Sequence, residues 1–297
     1  MDWQLRLITL YEAICKEYRE HLWVYCQRFS PYVDLRLSDE EVLCIYLWGL
    51  MDKRRELRTI YDDTRRHLHE WFPRLPSYGG FVQRLNQLAD VFVPLLDALQ
   101  AQCPQTGVLR QVRLLDSMPI RLAHAKRSSR ACVAAELANK GYCASKGEYY
   151  YGVKVHILGL RRPGTLPLPD YVGLTPASDH DLMAFRQIAQ QLYGGELYLD
   201  KAYIDELLRQ SSQDEQVLTL LTPVKKAKGQ AHLDAADQWL STAVSRVRQP
   251  IESLFHWIEE KTGIQCASKV RSYRGLLVHV FGRLAAAMWL LTEAQWA

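Results

Sequence analysis

Three acidic residues stand in settings that surface decoration does not easily explain. Asp116 closes an apolar run through Val112, Leu114 and Leu115, and Asp200 follows Leu197-Tyr198-Leu199. Glu252 lies beside, not opposite, a helical stripe of Val244, Val247, Ile251, Leu254, Phe255 and Ile258. A carboxylate at the end of a buried strand is costly unless a partner or cation neutralises it. Two such strand ends can converge at one sheet edge, where α/β sheets place ligand sites, and a docked helix could deliver Glu252 to them. Clustered carboxylates repel each other and call for cations. Hard oxygen donors favour Mg²⁺ or Mn²⁺, and two such ions about 3.5–4 Å apart suit in-line phosphoryl transfer.

Each acid also has a plainer reading. Asp116, before Ser117, can cap a turn. Asp200 and Asp205 can mark a loop and the start of a helix. Pro250 suits a first helical turn, so Glu252 can simply complement a helix N-terminus. Arg248 falls one turn before Glu252 on the same side, as steadying partner or ordinary ion pair.

The elements that must position these residues change character along the chain. Up to about Gln105 the pattern is helical. Ser38-Asp39-Glu40-Glu41 forms a capping box ahead of Val42, Ile45, Tyr46 and Leu50. Leu57, Ile60, Tyr61 and Leu68 predict another helix, and Phe81, Leu85, Leu88, Phe92 and Leu96 a third, kinked or ended early by Pro94. Cys103 to Gly107 reads as a linker. Strands are then predicted over Gln111–Met118, Tyr149–Leu160, Tyr171–Thr175, Glu196–Leu199 and Val217–Val224. Helices are expected from an Asp181 cap to Leu192, over Asp205–Arg209, and through the remainder. The order makes a layered α/β domain from residue 106 to 297, preceded by an all-helical domain over 1–105.

The chain has 297 residues, 48% hydrophobic and 24% charged, with a net charge of +4, as for an ordinary globular protein. Its seven cysteines are scattered and never in C-x-x-C spacing, which speaks against a disulfide scaffold or a structural zinc site. Apolar runs are short for a membrane span and no secretory signal is read, so a cytoplasmic protein with no membrane partner is expected. Between Arg110 and Arg162 basic residues far outnumber Asp116, Glu136 and Glu148. That bias suits contact with a phosphate backbone, or a solubilising surface.

The chain resembles the DDE transposases of bacterial insertion sequences, most closely the insertion sequence 982 family. Leu37 to Glu41 and Phe72 to Tyr78 resemble that family's N-terminal region, and Leu115-Asp116-Ser117-Met118-Pro119-Ile120 its first catalytic strand. Tyr151 to His156 and Thr175 to Asp181 resemble the stretches that follow. Asp200-Lys201-Ala202-Tyr203 resembles the second motif, and Arg248-Gln249-Pro250-Ile251-Glu252-Ser253-Leu254-Phe255 the third. Ser245 and Glu259 stand where related transposases carry Tyr and Lys, with Lys261 just beyond. The resemblance implies a ribonuclease H-like core with a mixed five-stranded sheet and flanking helices. It also implies Asp116, Asp200 and Glu252 as catalytic metal ligands, and binding to terminal inverted repeats.

On this reading Glu259 and Asp237 are the substitutes for Glu252, and Lys201, Tyr203, Arg248 and Lys261 are candidate DNA contacts. His124, His156 and His180 read as structural or surface residues. The helix from Ser77 displays Gln83, Arg84, Asn86 and Gln87, types able to read base edges from a helix-turn-helix, unless the three helices are simply a bundle. Arg121, Lys126, Arg127 and Arg130 offer a second DNA surface. The function expected is metal-dependent strand cleavage and strand transfer on double-stranded DNA, both element ends and target, by a homodimer at the nucleoid. The alternatives are a nuclease on the same core that does not join, and an inactive DNA-binding remnant acting as a repressor.

Overall fold

The computed structural model describes residues 2–27, 36–103, 108–144, 146–203, 206–226, 229–230 and 232–292. Two compact units emerge, Met1–Pro104 with Ile258–Ala297, and Gln105–Trp257. The linker proposed from sequence lies mainly outside the described residues, at 104–107.

The first unit contains α1 (Trp3–Glu20), α2 (Asp39–Met51), α3 (Leu57–His67), α4 (Tyr78–Gln87) and α5 (Phe92–Ala101), joined by the C-terminal helix Tyr273–Thr292. The predicted capping box is present: Glu41 N donates to Ser38 Oγ at 3.2 Å, and Ser38 N to Glu41 Oε2 at 2.7 Å. The single helix expected after Ser77 is two, α4 and α5, separated by a short 3-10 turn at Ala89–Val91. Pro94 neither kinks nor ends α5; it sits in its first turn. There its missing N–H leaves nothing unsatisfied, so the chain breaks ahead of the proline and restarts.

The sequence reading assigned residues 258–297 to the second domain, whereas they group with the N-terminal helices. The C-terminal helix explains why. It buries residues on every side, from Leu276 through Val280 and Leu284 to Met288, and a helix apolar all round needs neighbours all round. Tyr46 on α2 donates to its Val278 carbonyl at 3.1 Å. This helix is long and apolar enough to cross a membrane by composition, but most of it is buried within the unit.

The second unit is a mixed sheet with helices: β1 (Leu109–His124), α6 (Ala125–Ser128), β2 (Asn139–Cys143), β3 (Glu148–Arg161), β4 (Leu168–Pro176), α7 (Asp181–Ala189), β5 (Gly195–Tyr198), α8 (Glu206–Gln216), β6 (Leu218–Leu221) and α9 (Ala235–Thr262), whose residues from Ile258 on belong to the first unit. The order is β2-β3-β1-β5-β6, with β4 also on β3. β1 runs antiparallel to β3 and parallel to β5, and β5 parallel to β6. This mixed α/β arrangement is compatible with a ribonuclease H-like core. Among the described residues there are six strands rather than five. β2 is the extra one, a short polar segment with no apolar alternation, held by pairing with the first residues of β3.

α7 starts one residue earlier in its capping than expected: His180 Nδ1, not Asp181, accepts from Leu182 N at 3.3 Å. Asp181 is engaged instead by Lys154 Nζ at 3.0 Å. The predicted helix at Asp205–Arg209 continues to Gln216, and Asp205 itself lies outside the described residues. Behind the sheet, Leu115, Leu158, Phe185, Ile188, Leu197, Leu199, Tyr203, Leu218 and Leu220 pack into one core.

Candidate active site

The parallel pairing of β1 and β5 fixes the two aspartates. Val112 lies opposite Glu196, Arg113 opposite Leu197 and Leu114 opposite Tyr198. Asp116 stands two residues beyond Leu114, and Asp200 two residues beyond the end of β5 at Tyr198, so both acids follow the last paired position and lie within electrostatic reach of each other. Arg113 Nη1 secures the start of β5 by donating to the Gly194 carbonyl at 2.7 Å. Gly195 is required there: its φ is +82°, and a Cβ would come within 2.4 Å of the Gln111 oxygen. Asp116 does not end its strand, as the sequence suggested. β1 continues to His124, paired with β3 throughout. What ends near Leu114 is the neighbour on its other side, and this leaves the Asp116 carboxylate an open edge.

The long helix α9 supplies the third group. It is 28 residues long and holds Pro250 in its interior. Glu252 therefore does not merely complement a helix N-terminus. The buried Ile251, Leu254 and Val244 form the inward stripe. A Cβ on Gly159 of β3 would stand 3.1 Å from Ile251 Cδ1, so a side chain-free position lets the helix approach the sheet closely. Arg248, one turn before Glu252, then reaches the strand: its Nη1 donates to Asp116 Oδ2 at 2.8 Å, while Nη2 donates to Glu252 Oε1. Ser117 N donates to the other oxygen, Asp116 Oδ1, at 2.8 Å.

The electrostatics follow from this placement. The Asp116 carboxyl is raised to about 6, chiefly by burial and also by Asp200 and Glu252, against the lowering effect of Arg248 and the Ser117 amide. Burial works against the charge of Arg248, yet Asp116, Glu252 and Asp200 hold its guanidinium protonated, above the usual value. All three acids thus lie within electrostatic reach of one cation that the chain itself supplies. The Asp116 and Arg248 side chains are 20% and 13% exposed and that of Glu252 54% exposed, so the cluster is walled by the sheet and open on the helix side. Among the described residues no three His, Cys, Asp or Glu side chains stand close enough to hold one ion, and Arg248 bonds two of the acids. The chemistry of the donor set, hard carboxylate oxygens around a buried member with a raised pKa, nevertheless fits a divalent ion.

The remaining candidates divide. Lys201 is exposed beside Asp200. Tyr203 is 2% exposed and packs edge-on against Phe185, so it belongs to the core and not to a DNA surface. Arg84 does not face bases: it donates to both oxygens of the buried Asp39 and to the Cys26 carbonyl. Gln87 accepts from Arg84 at 3.2 Å, Asn86 is half-buried, and Gln83 is exposed. Arg121 is held by Glu148 at 2.8 Å, while Lys126, Arg127 and Arg130 remain exposed around α6. Lys261 pairs with Glu260. Glu259, a substitute for Glu252, accepts from Gln265 N at 2.8 Å, and Asp237 sits in the first turn of α9. His156 is buried against Thr175 at 2.9 Å, and His124 is exposed.

One feature escaped the sequence reading. An open groove of about 850 Å³ runs between Lys201, Lys225 and Lys226 on one side and Ser241, Arg246 and Gln249 of α9 on the other. Its wall is tied by Val224 N donating to Ser241 Oγ at 2.9 Å. Its residues flank Asp200 and Arg248 in sequence. The paired Lys225-Lys226 just after a strand was the available signal. A smaller pocket of about 250 Å³ in the first unit is lined by Trp3, Trp48 and Arg54, but Arg54 is already bound to Asp52 and Asp63.

A family model described as a transposase DDE domain matches residues 106–271. No curated protein and no solved structure matches the chain.

Proposed function

Since the chain belongs to the DDE transposase family, we propose that it cuts DNA at the ends of an insertion sequence and joins them to a target. The observation that carries this reading is the meeting of Asp116 and Glu252 on Arg248, with Asp200 in electrostatic reach, inside the matched region. Members of this family generally use divalent metal ions. Asp116, Asp200 and Glu252 would hold them, as two ions of Mg²⁺ or Mn²⁺. Bound there, they supply Lewis acidity to a phosphate undergoing in-line displacement.

The chain's own residues do the positioning. The β1–β5 register sets the two aspartates, and α9 brings Glu252 from the opposite side. The groove of Lys201, Lys225, Lys226 and Arg246 offers cations to a phosphate backbone leading to them. In the first step water attacks an end phosphate, and the 3′ oxygen leaves with a proton as a hydroxyl. In the second that hydroxyl attacks a target phosphate, forming one P–O bond as another breaks. The same placement serves both steps, since each needs only alignment and charge stabilisation. Within the family, the motifs around Asp116, Asp200 and Glu252 support a place beside the insertion sequence 982 group. Terminal inverted repeats are then the DNA recognised, by a homodimer that pairs two ends.

The test uses end-containing duplex DNA with Mg²⁺ and the variants Asp116→Asn, Asp200→Asn and Glu252→Gln. Each is expected to lose cleavage while folding and binding DNA as the parent does. Full activity in any of them removes that residue from the set. Supplying a precut 3′-hydroxyl end and a target separates a joining enzyme from a nuclease, which yields no joined product.

A further inference from the structure

We propose that Arg248 is a built-in counter-ion that occupies the carboxylate cluster and that a divalent cation must displace. The inference rests on the reading of Asp116, Asp200 and Glu252 as the ligand set. Three observations support it. The guanidinium reaches across two elements, one nitrogen on Asp116 Oδ2 and another on Glu252 Oε1, and so fills the space between the acids that an ion would share. Its Nε is buried with no hydrogen-bond partner among the described residues; a guanidinium whose only role was structural would be expected to satisfy its five donors. And Glu252 is 54% exposed, so the Arg248–Glu252 side of the cluster has a route to solvent by rotation of long side chains on one helix turn.

The physics favours exchange over coexistence. A divalent ion on Asp116 and a guanidinium 2.8 Å from the same carboxylate are like charges in a half-buried site, where repulsion is weakly screened. Without metal, Arg248 offsets the acids and lets the cluster persist. With metal, its two hydrogen bonds are surrendered. Arg248 therefore sets a threshold on metal occupancy. It is a competitor for the site, not a scaffold for it, and the two roles predict opposite signs.

The experiment is Mn²⁺ binding to the full chain without DNA, followed by electron paramagnetic resonance, with circular dichroism as the check on folding. Arg248→Gln is expected to bind Mn²⁺ about tenfold more tightly than the parent, since it removes a competing cation while keeping a polar side chain. Arg248→Lys, which retains charge but cannot fork between two carboxylates, should fall between them. Unchanged or weaker binding in Arg248→Gln overturns the proposal, because a scaffolding residue would lower affinity on removal. A measurement on the parent chain covers failure of the variant to fold. With ¹⁵N-labelled arginine, saturating Ca²⁺ should turn the Arg248 Nε–H from slowly to rapidly exchanging with solvent; continued protection overturns displacement. Asp200→Asn separates the two ideas. If it loses Mn²⁺ binding while Arg248→Gln gains none, displacement alone fails; if it binds as the parent does, or if no chain binds Mn²⁺, the ligand set fails as well.

Discussion

Arg248 donates to Asp116 across 2.8 Å although the two residues stand 132 positions apart in the chain. One comes from the central strand of the sheet and the other from the helix laid against it. Their meeting reports that α9 is docked in the register that presents Glu252.

Asp116 should make the fold and the metal respond to pH in opposite directions. Its folded pKa of about 6 lies above the ordinary 3.8, so the native chain holds this proton more tightly than the unfolded one. The stability it contributes is complete below about pH 4 and is lost as pH rises to about 6. Equilibrium unfolding of the metal-free chain across that range should show a component of about 3 kcal/mol that Asp116→Asn lacks. Mn²⁺ affinity, which requires the ionised carboxylate, should instead strengthen over the same interval and level off above it. Flat affinity across this range contradicts the assignment.

Groove lysines should act on DNA binding without regard to sequence. Replacing Lys201, Lys225 and Lys226 by Ala is expected to lower affinity for end and random duplexes alike. The slope of log K against log salt should shrink by about one for each phosphate contact removed. An unchanged salt slope in the triple variant means the groove does not carry the backbone.

Arg84→Ala should be a folding defect and not a recognition defect. Removing it takes the paired cation from the 3% exposed Asp39 carboxylate, to which Tyr18 still donates at 3.3 Å, at a cost of about 3 kcal/mol in urea unfolding. Footprints on end DNA at a temperature where the variant is folded should match the parent. A folded variant that loses base preference would return Arg84 to the reading surface.

Gly195→Ala should disturb the site from a distance. The strained φ alone costs about 1–3 kcal/mol, and the approach to the Gln111 backbone adds to it. Because the residue fixes where β5 meets β1, cleavage should fall further than the loss of stability explains. Activity compared at equal folded fraction decides this.

Much of the site was legible in the sequence because buried strands announce themselves. Leu114-Leu115 and Leu197-Tyr198-Leu199 are apolar runs that end on acids, and helical periodicity placed Glu252 beside a packing stripe. What could not be read were facts of pairing. The six-residue continuation of β1 beyond Met118 is held by β3 and contains Pro119, which argues against a strand locally. β2 has no pattern of its own. Arg84 and Arg121 looked like free cations, since Asp39 and Glu148, which hold them, are 45 and 27 positions away. Tyr203 matched a motif but serves the core, and only burial could separate those roles. The groove needed three segments brought together.

The shared register of β1 and β5 also bears on how the gene can vary. Side chains alternate along a strand, so losing or gaining one residue between Val112 and Asp116 would turn the carboxylate to the opposite face of the sheet. Such a frame-preserving change would silence the protein as completely as loss of the acid, whereas many single replacements in the same stretch would leave the spacing intact. The site tolerates a change of residue in this stretch more readily than a change of length.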